Sequence, residues 1–151
     1  MKTIMTEKNK NNSFSDFLEV LEKYCRAKKE IIAAYLFGSF AAGKATPFSD
    51  VDIALLTPPA KNRMVTFHAK LEYHTELSDL IKKNVDIVLL REAGEMLSYQ
   101  VLKFGCLIFE RDRDAHREFV AKRVIQCLDF HYYERIMQQG MINAMQREYH
   151  G

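Results

Sequence analysis

GSFAAGKATPFSDVDIALL, residues 38–56, decides how this chain is read. An apolar run, Ile31 to Phe37, leads into it and stops at Gly38. That run is too short for a typical helix and rich in β-compatible residues, which predicts a strand. Gly43, Pro47 and Ser49 predict a short helical turn and then a loop across Ala41 to Ser49. Val51 to Leu56 predicts a second strand, stopped by Thr57, Pro58 and Pro59. Side chains alternate along a strand, so Asp50 and Asp52 point to one face while Val51 and Ile53 point to the other.

Outward from that core, Phe14, Phe17, Leu18, Leu21, Tyr24 and Cys25 fall on one face at helical spacing, predicting a helix from Ser13 to Lys28. Downstream, a helix is expected over Asn62 to Lys82, a strand over Val85 to Leu90 and a helix over Ala93 to Phe104, ended by Gly105. A short strand is expected over Cys106 to Phe109, and helix from Asp114 onward, with Gly140 a point where it breaks or bends. Short strands mixed with covering helices define an α/β (α+β) fold, a two-layer mixed sheet with helices. The domain reading is a disordered lead-in over residues 1–12 and a single domain over 13–151 with a C-terminal helical segment. Strand order cannot be read from the pattern.

The chemistry-bearing residues converge on these strands. Asp86 lies inside Val85-Asp86-Ile87-Val88, an apolar strand where an unpaired buried carboxylate is costly. A hard cation relieves that cost, and magnesium prefers carboxylate, phosphate and water oxygens. Asp50, Asp52 and Asp86 are therefore candidate metal ligands and catalytic carboxylates. Gly38 has no Cβ and lets backbone approach a ligand closely. The turn after it offers free N–H groups, and Ser39 adds a hydroxyl, a combination suited to phosphate.

At this point the sequence resembles the polymerase-β-like nucleotidyltransferase superfamily: GSFAAGKATPFSDVDIALL resembles its Gly-Ser, spacer and Asp-x-Asp signature, and NVDIVLL resembles the strand of its third carboxylate. The length is similar to the minimal nucleotidyltransferases. LSYQVLKFGCLIFERD and CLDF are similar to the adenylyltransferase antitoxins of that group, which are paired with a HEPN-domain RNase toxin. The resemblance implies the polymerase-β-like fold. It implies transfer of AMP from ATP to a tyrosine hydroxyl of the toxin, with two Mg²⁺ ions on Asp50 and Asp52, and Asp86 as the third carboxylate that activates the hydroxyl. It implies that Gly38 and Ser39 bind the triphosphate, and that toxin and antitoxin form a hetero-oligomer. Many relatives carry an Arg where this chain has Ala42. Lys44 reads equally as a replacement cation, without the bidentate geometry of Arg, and as a solvated loop lysine. Two rivals are a transferase acting on a small hydroxylated molecule such as an aminoglycoside, and a non-catalytic antitoxin acting by binding alone.

Composition narrows the classes further. With 48% hydrophobic and 28% charged residues, the chain is ordinary globular material, and a formal charge of +2 makes no case for direct nucleic-acid binding. Cys25, Cys106 and Cys127 are far apart and predict reduced thiols in the cytoplasm. No run is long enough for a membrane span, and no membrane partner is expected. His68 and His74 lie six apart and do not share a face. His116, His131 and His150 fit no catalytic pattern. Lys82 and Lys83 read as helix-terminal cations suited to the dipole. Met137, Met141 and Met145 form a stripe that reads first as core packing and second as a docking surface.

Overall fold

The computed structural model describes the backbone of residues 2–150 and the side chains of residues 14–148. In chain order it has α1 (Lys2–Ala27), β1 (Ala33–Phe37), α2 (Gly38–Ala41), β2 (Val51–Leu56), α3 (Arg63–Ile81), β3 (Val85–Leu89), α4 (Glu95–Phe104), β4 (Cys106–Glu110) and α5 (Arg113–His150). Local chemistry explains several boundaries. At the start of α3, the Asn62 side chain accepts the Val65 N–H at 3.0 Å. Lys82 closes the same helix in a left-handed conformation, φ 60°, donating its N–H to the Ser78 carbonyl at 2.9 Å.

Four expectations are corrected. Helix α1 begins at Lys2, well before the expected start at Ser13, and no Gly or Pro lies between them to stop it. The helical turn falls on Gly38–Ala41, directly at the end of β1, because Gly38 itself turns the chain with φ +69°. Gly140 neither breaks nor bounds α5, which continues to His150; one glycine costs about 1 kcal/mol relative to Ala, too little to stop so long a helix. The Met137, Met141 and Met145 stripe is exposed rather than core, because the distal part of α5 extends past the helices and strands that cover its first turns.

The sheet has the order β3-β2-β1-β4. β1 pairs antiparallel with both β2 and β4, while β2 and β3 are parallel, so the sheet is mixed. Alternation sends Ala34, Leu36, Val51, Ile53, Leu55, Val85, Ile87 and Leu89 to one face, where Leu21, Tyr24 and Cys25 of α1 and Tyr73 and Leu77 of α3 close over them. The other face carries Ala33, Tyr35, Ala54 and Leu56, covered by Val101 of α4 and Phe119 of α5. Along β2 this second face changes from Leu56 through Ala54 to Asp52. Its apolar end is buried and its acidic end lies open.

Arg111, between β4 and α5, locks the layers. Its guanidinium donates to the carbonyls of Ile31 at 3.1 Å, Cys25 at 3.1 Å, Arg26 at 2.8 Å and Lys28 at 3.5 Å. Carbonyls left over at the C-terminus of α1 thus gain a charged donor. Arg111→Ala should cost about 1.5–3 kcal/mol, the scale of a charge-assisted hydrogen bond, measured by urea unfolding. A loss within about 0.5 kcal/mol, ordinary for a surface change, would show that water serves those carbonyls as well.

Candidate active site

The site is built around a close approach. A Cβ placed on Gly38 would lie 2.1 Å from Asp52 Oδ2 and 2.9 Å from Asp52 Cγ. No side chain fits there, and φ +69° is itself a conformation that favours glycine. The pairing explains the proximity: Phe37, the last residue of β1, is opposite Asp52 on β2. The next residue, Gly38, must turn immediately over the carboxylate. The turn it opens, Gly38–Ala41, has no side-chain cap at its start, so its first N–H groups remain available. Ser39 is half-buried and its hydroxyl makes no hydrogen bond among the described residues.

Asp52 and Asp86 are direct neighbours across the parallel β2–β3 pair, so their side chains leave the sheet on the same face. Asp50 lies immediately before β2 and is exposed. Asp86 is also exposed: β3 is an edge strand, and α4 and α5 cover only the far end of this face. Burial raises the Asp52 carboxyl above its ordinary pKa, and the negative charges of Asp86 and Asp50 raise it further. None of the three forms an ion pair among the described residues.

The Asp52–Asp86 pair, with Asp50 just before β2, offers carboxylate oxygens of the kind a hard divalent ion would take. Among the described residues, no three His, Cys, Asp or Glu side chains form a group that could enclose a metal ion unaided. Magnesium typically takes one or two carboxylates and completes its shell with substrate phosphates and water. The donors fit such an ion in the presence of a triphosphate.

The loop from α2 to β2 is shaped by its own short bonds. The Lys44 N–H donates to the Ser39 carbonyl at 2.9 Å. The Thr46 N–H donates to Ser49 Oγ at 2.8 Å, and the Ser49 N–H returns to the Thr46 carbonyl at 3.0 Å. Lys44 and Ala42 are both exposed, and the Lys44 amine has no ion-pair partner among the described residues. Lys44 is therefore tied to the turn by its backbone alone.

Sequence reading missed two features nearby. Lys83 reaches this loop, as described below. His116, set aside as fitting no pattern, is 6% exposed and bridges Tyr35 Oη at 2.7 Å and Glu110 Oε1 at 2.6 Å. The three residues join β1, β4 and α5. Burial, with the Glu110 charge, pushes the Tyr35 hydroxyl up to about 12, so it stays a neutral hydroxyl. Only the apolar neighbours of Tyr35 were legible in the sequence, because its partners lie about eighty residues away.

Fold and carboxylate geometry together define a nucleotidyltransferase, and residues 19–114 match the family described as Polymerase beta, Nucleotidyltransferase, so the chain belongs to that family. Among its relatives, the protein adenylyltransferase MntA of Shewanella oneidensis is 29% identical over 119 residues, covering 78% of this chain and 81% of MntA. The same fold occurs in a toxin–antitoxin crystal structure with AMP-PNP, at TM-score 0.64 and 23% identity, covering 85% of this chain and 98% of that one. It also occurs in the complex of a tri-AMPylated Shewanella oneidensis HEPN toxin with an MNT antitoxin, at TM-score 0.52 and 23% identity, covering 78% and 85%.

The site yields two predictions. Gly38→Ala should destabilise the protein by more than about 2 kcal/mol, from the positive φ and the overlap with Asp52. In an Asp52→Ala background the same change should cost only about 1 kcal/mol, because the overlapping oxygens are gone. Costs that add within about 0.5 kcal/mol would refute the contact.

Asp52 should also make stability depend on pH. With its folded pKa raised, its contribution is fully present below the ordinary carboxylate range and is lost as pH rises through the raised value. Asp52→Asn carries no such loss. Without divalent ions it should melt above wild type at about pH 7, with the gap closing near about pH 3. A gap that does not change with pH would remove the electrostatic explanation.

Proposed function

We propose that this chain transfers AMP from ATP to a tyrosine hydroxyl of a cognate HEPN RNase toxin, and so neutralises it in the cytoplasm. The observation that carries the reading is the in-register Asp52–Asp86 pair, with Asp50 beside it, under the Gly38–Ser39 turn. The names of its relatives support the acceptor: one is a protein adenylyltransferase, and another is bound to an AMPylated HEPN toxin. The absence, among the described residues, of a helix long and apolar enough to cross a membrane is compatible with it.

In this reading the N–H groups of the Gly38–Ala41 turn and the Ser39 hydroxyl hold the triphosphate, with Lys44 as a nearby cation. Asp50, Asp52 and Asp86 would hold two Mg²⁺ ions, which, when bound, neutralise the triphosphate and the departing pyrophosphate. Asp86, exposed on the edge strand, takes up the proton of the acceptor hydroxyl. The acceptor oxygen forms a bond to the α-phosphorus as the bond to the bridging oxygen breaks, and pyrophosphate leaves. Gly38 contributes by having no side chain: it keeps the turn and the Asp52 carboxylate within reach of one ligand.

Removing Asp86 separates chemistry from binding. Asp86→Asn should still bind ATP and toxin, yet transfer AMP about 10²–10⁴-fold more slowly, the usual worth of general-base assistance. Co-expression with the toxin, read by intact mass and by growth, tests this. Full protection without added AMP mass would mean that binding alone neutralises the toxin. A wild-type chain that modifies a small hydroxylated molecule such as an aminoglycoside, but no protein, would move the acceptor to the small-molecule class.

A further inference from the structure

Lys83 touches two parts of the chain that nucleotidyl transfer must hold in register. Its amine donates to the Pro47 carbonyl at 3.2 Å and stands 5.7 Å from the centroid of the Phe40 ring. Phe40 follows Ser39 in the phosphate turn, and Pro47 lies in the loop that leads to Asp50. One side chain therefore contacts both ends of the segment connecting the turn to the carboxylates.

The base of Lys83 is itself well anchored. The left-handed cap at Lys82 ends α3 and redirects the chain. His74 Nδ1 lies 2.6 Å from the Val85 carbonyl, and the Val85 N–H donates to Ser78 Oγ at 3.3 Å, pinning α3 to the start of β3. The Val51 N–H donates to the Asn84 carbonyl at 3.0 Å, tying β3 to the start of β2. The loop, by contrast, has mostly exposed residues between Ala42 and Ser49, with Phe48 at its tip 95% exposed. The Thr46–Ser49 turn shapes the loop but does not attach it to the strands.

We infer that Lys83 is a positioning residue that braces the phosphate loop against the carboxylate-bearing strands and thereby sets how well the triphosphate seats. This rests on the nucleotidyl-transfer reading above. The amine acts on the loop, through the Pro47 carbonyl and the Phe40 ring, and takes no part in bond making.

Two measurements on the full chain test the brace. The first is hydrogen exchange of residues 41–50 without nucleotide, in wild type, Lys83→Ala and Lys83→Arg. The second is AMP transfer with ATP and protein acceptor varied separately. In Lys83→Ala, loop exchange and the KM for ATP should each rise roughly tenfold, while the acceptor KM and the exchange of β1 to β4 stay as in wild type. Lys83→Arg, which keeps a cationic donor of similar reach, should restore both. Unchanged loop exchange and ATP KM in Lys83→Ala would overturn the inference. So would equal loosening of β2 and β3, or failure of Lys83→Arg to restore either quantity. If wild type transfers nothing from ATP, the functional reading falls, while the exchange measurement still decides whether Lys83 braces the loop.

Discussion

The contact between Gly38 and the Asp52 carboxylate is the constraint on which the rest of the site depends. A Cβ on Gly38 would meet Asp52 Oδ2 at 2.1 Å. β1 must therefore end in a residue without a side chain, and the chain must turn at once with positive φ. The turn places its first N–H groups close to the Asp52 carboxylate. No side chain among the described residues forms an ion pair with that carboxylate. In the nucleotidyl-transfer reading proposed above, a triphosphate and its cation would occupy that space.

That arrangement is held by ordinary packing on the other face of the sheet. Leu36, Val51, Ile53, Leu55, Val85 and Ile87 are buried against α1 and α3, which fixes the strands that carry Asp52 and Asp86. Those carboxylates are the alternate residues on the same strands, so burial of one set orients the other. A slip of one residue would put Asp52 into the core and Ile53 into water. The cost of burying a charge therefore adds to the apolar core in guarding the register of the site.

The gradient along β2, from Leu56 through Ala54 to Asp52, divides one face into a buried end and a reactive end. Val101 of α4 and Phe119 of α5 close the first, and the Tyr35–His116–Glu110 bridge fastens α5 to β1 and β4 there. Tyr35 and His116 are buried in this network, and Glu110 closes it at the surface. Beyond its covered turns, α5 leaves Tyr132, Tyr133, Ile136, Met137, Met141 and Met145 exposed.

What the sequence determined by itself was local. The span of β2, Val51–Leu56, and the strand cores of β1, β3 and β4 followed from apolar runs and their stop residues. The special standing of Gly38 followed from its missing Cβ. These depend on residues a few positions apart, and such spacings survive folding unchanged. The tertiary structure decided everything that needed a distant partner. It put Asp52 opposite Asp86, placed β1 between β2 and β4, brought Lys83 to Pro47 and joined His116 to Tyr35. It also put Asp86 on an edge strand, open to solvent, and left the Met137–Met145 stripe exposed where helical spacing suggested burial. Burial is a property of what packs above a residue, and neither a strand's own composition nor a helix's own periodicity contains that information.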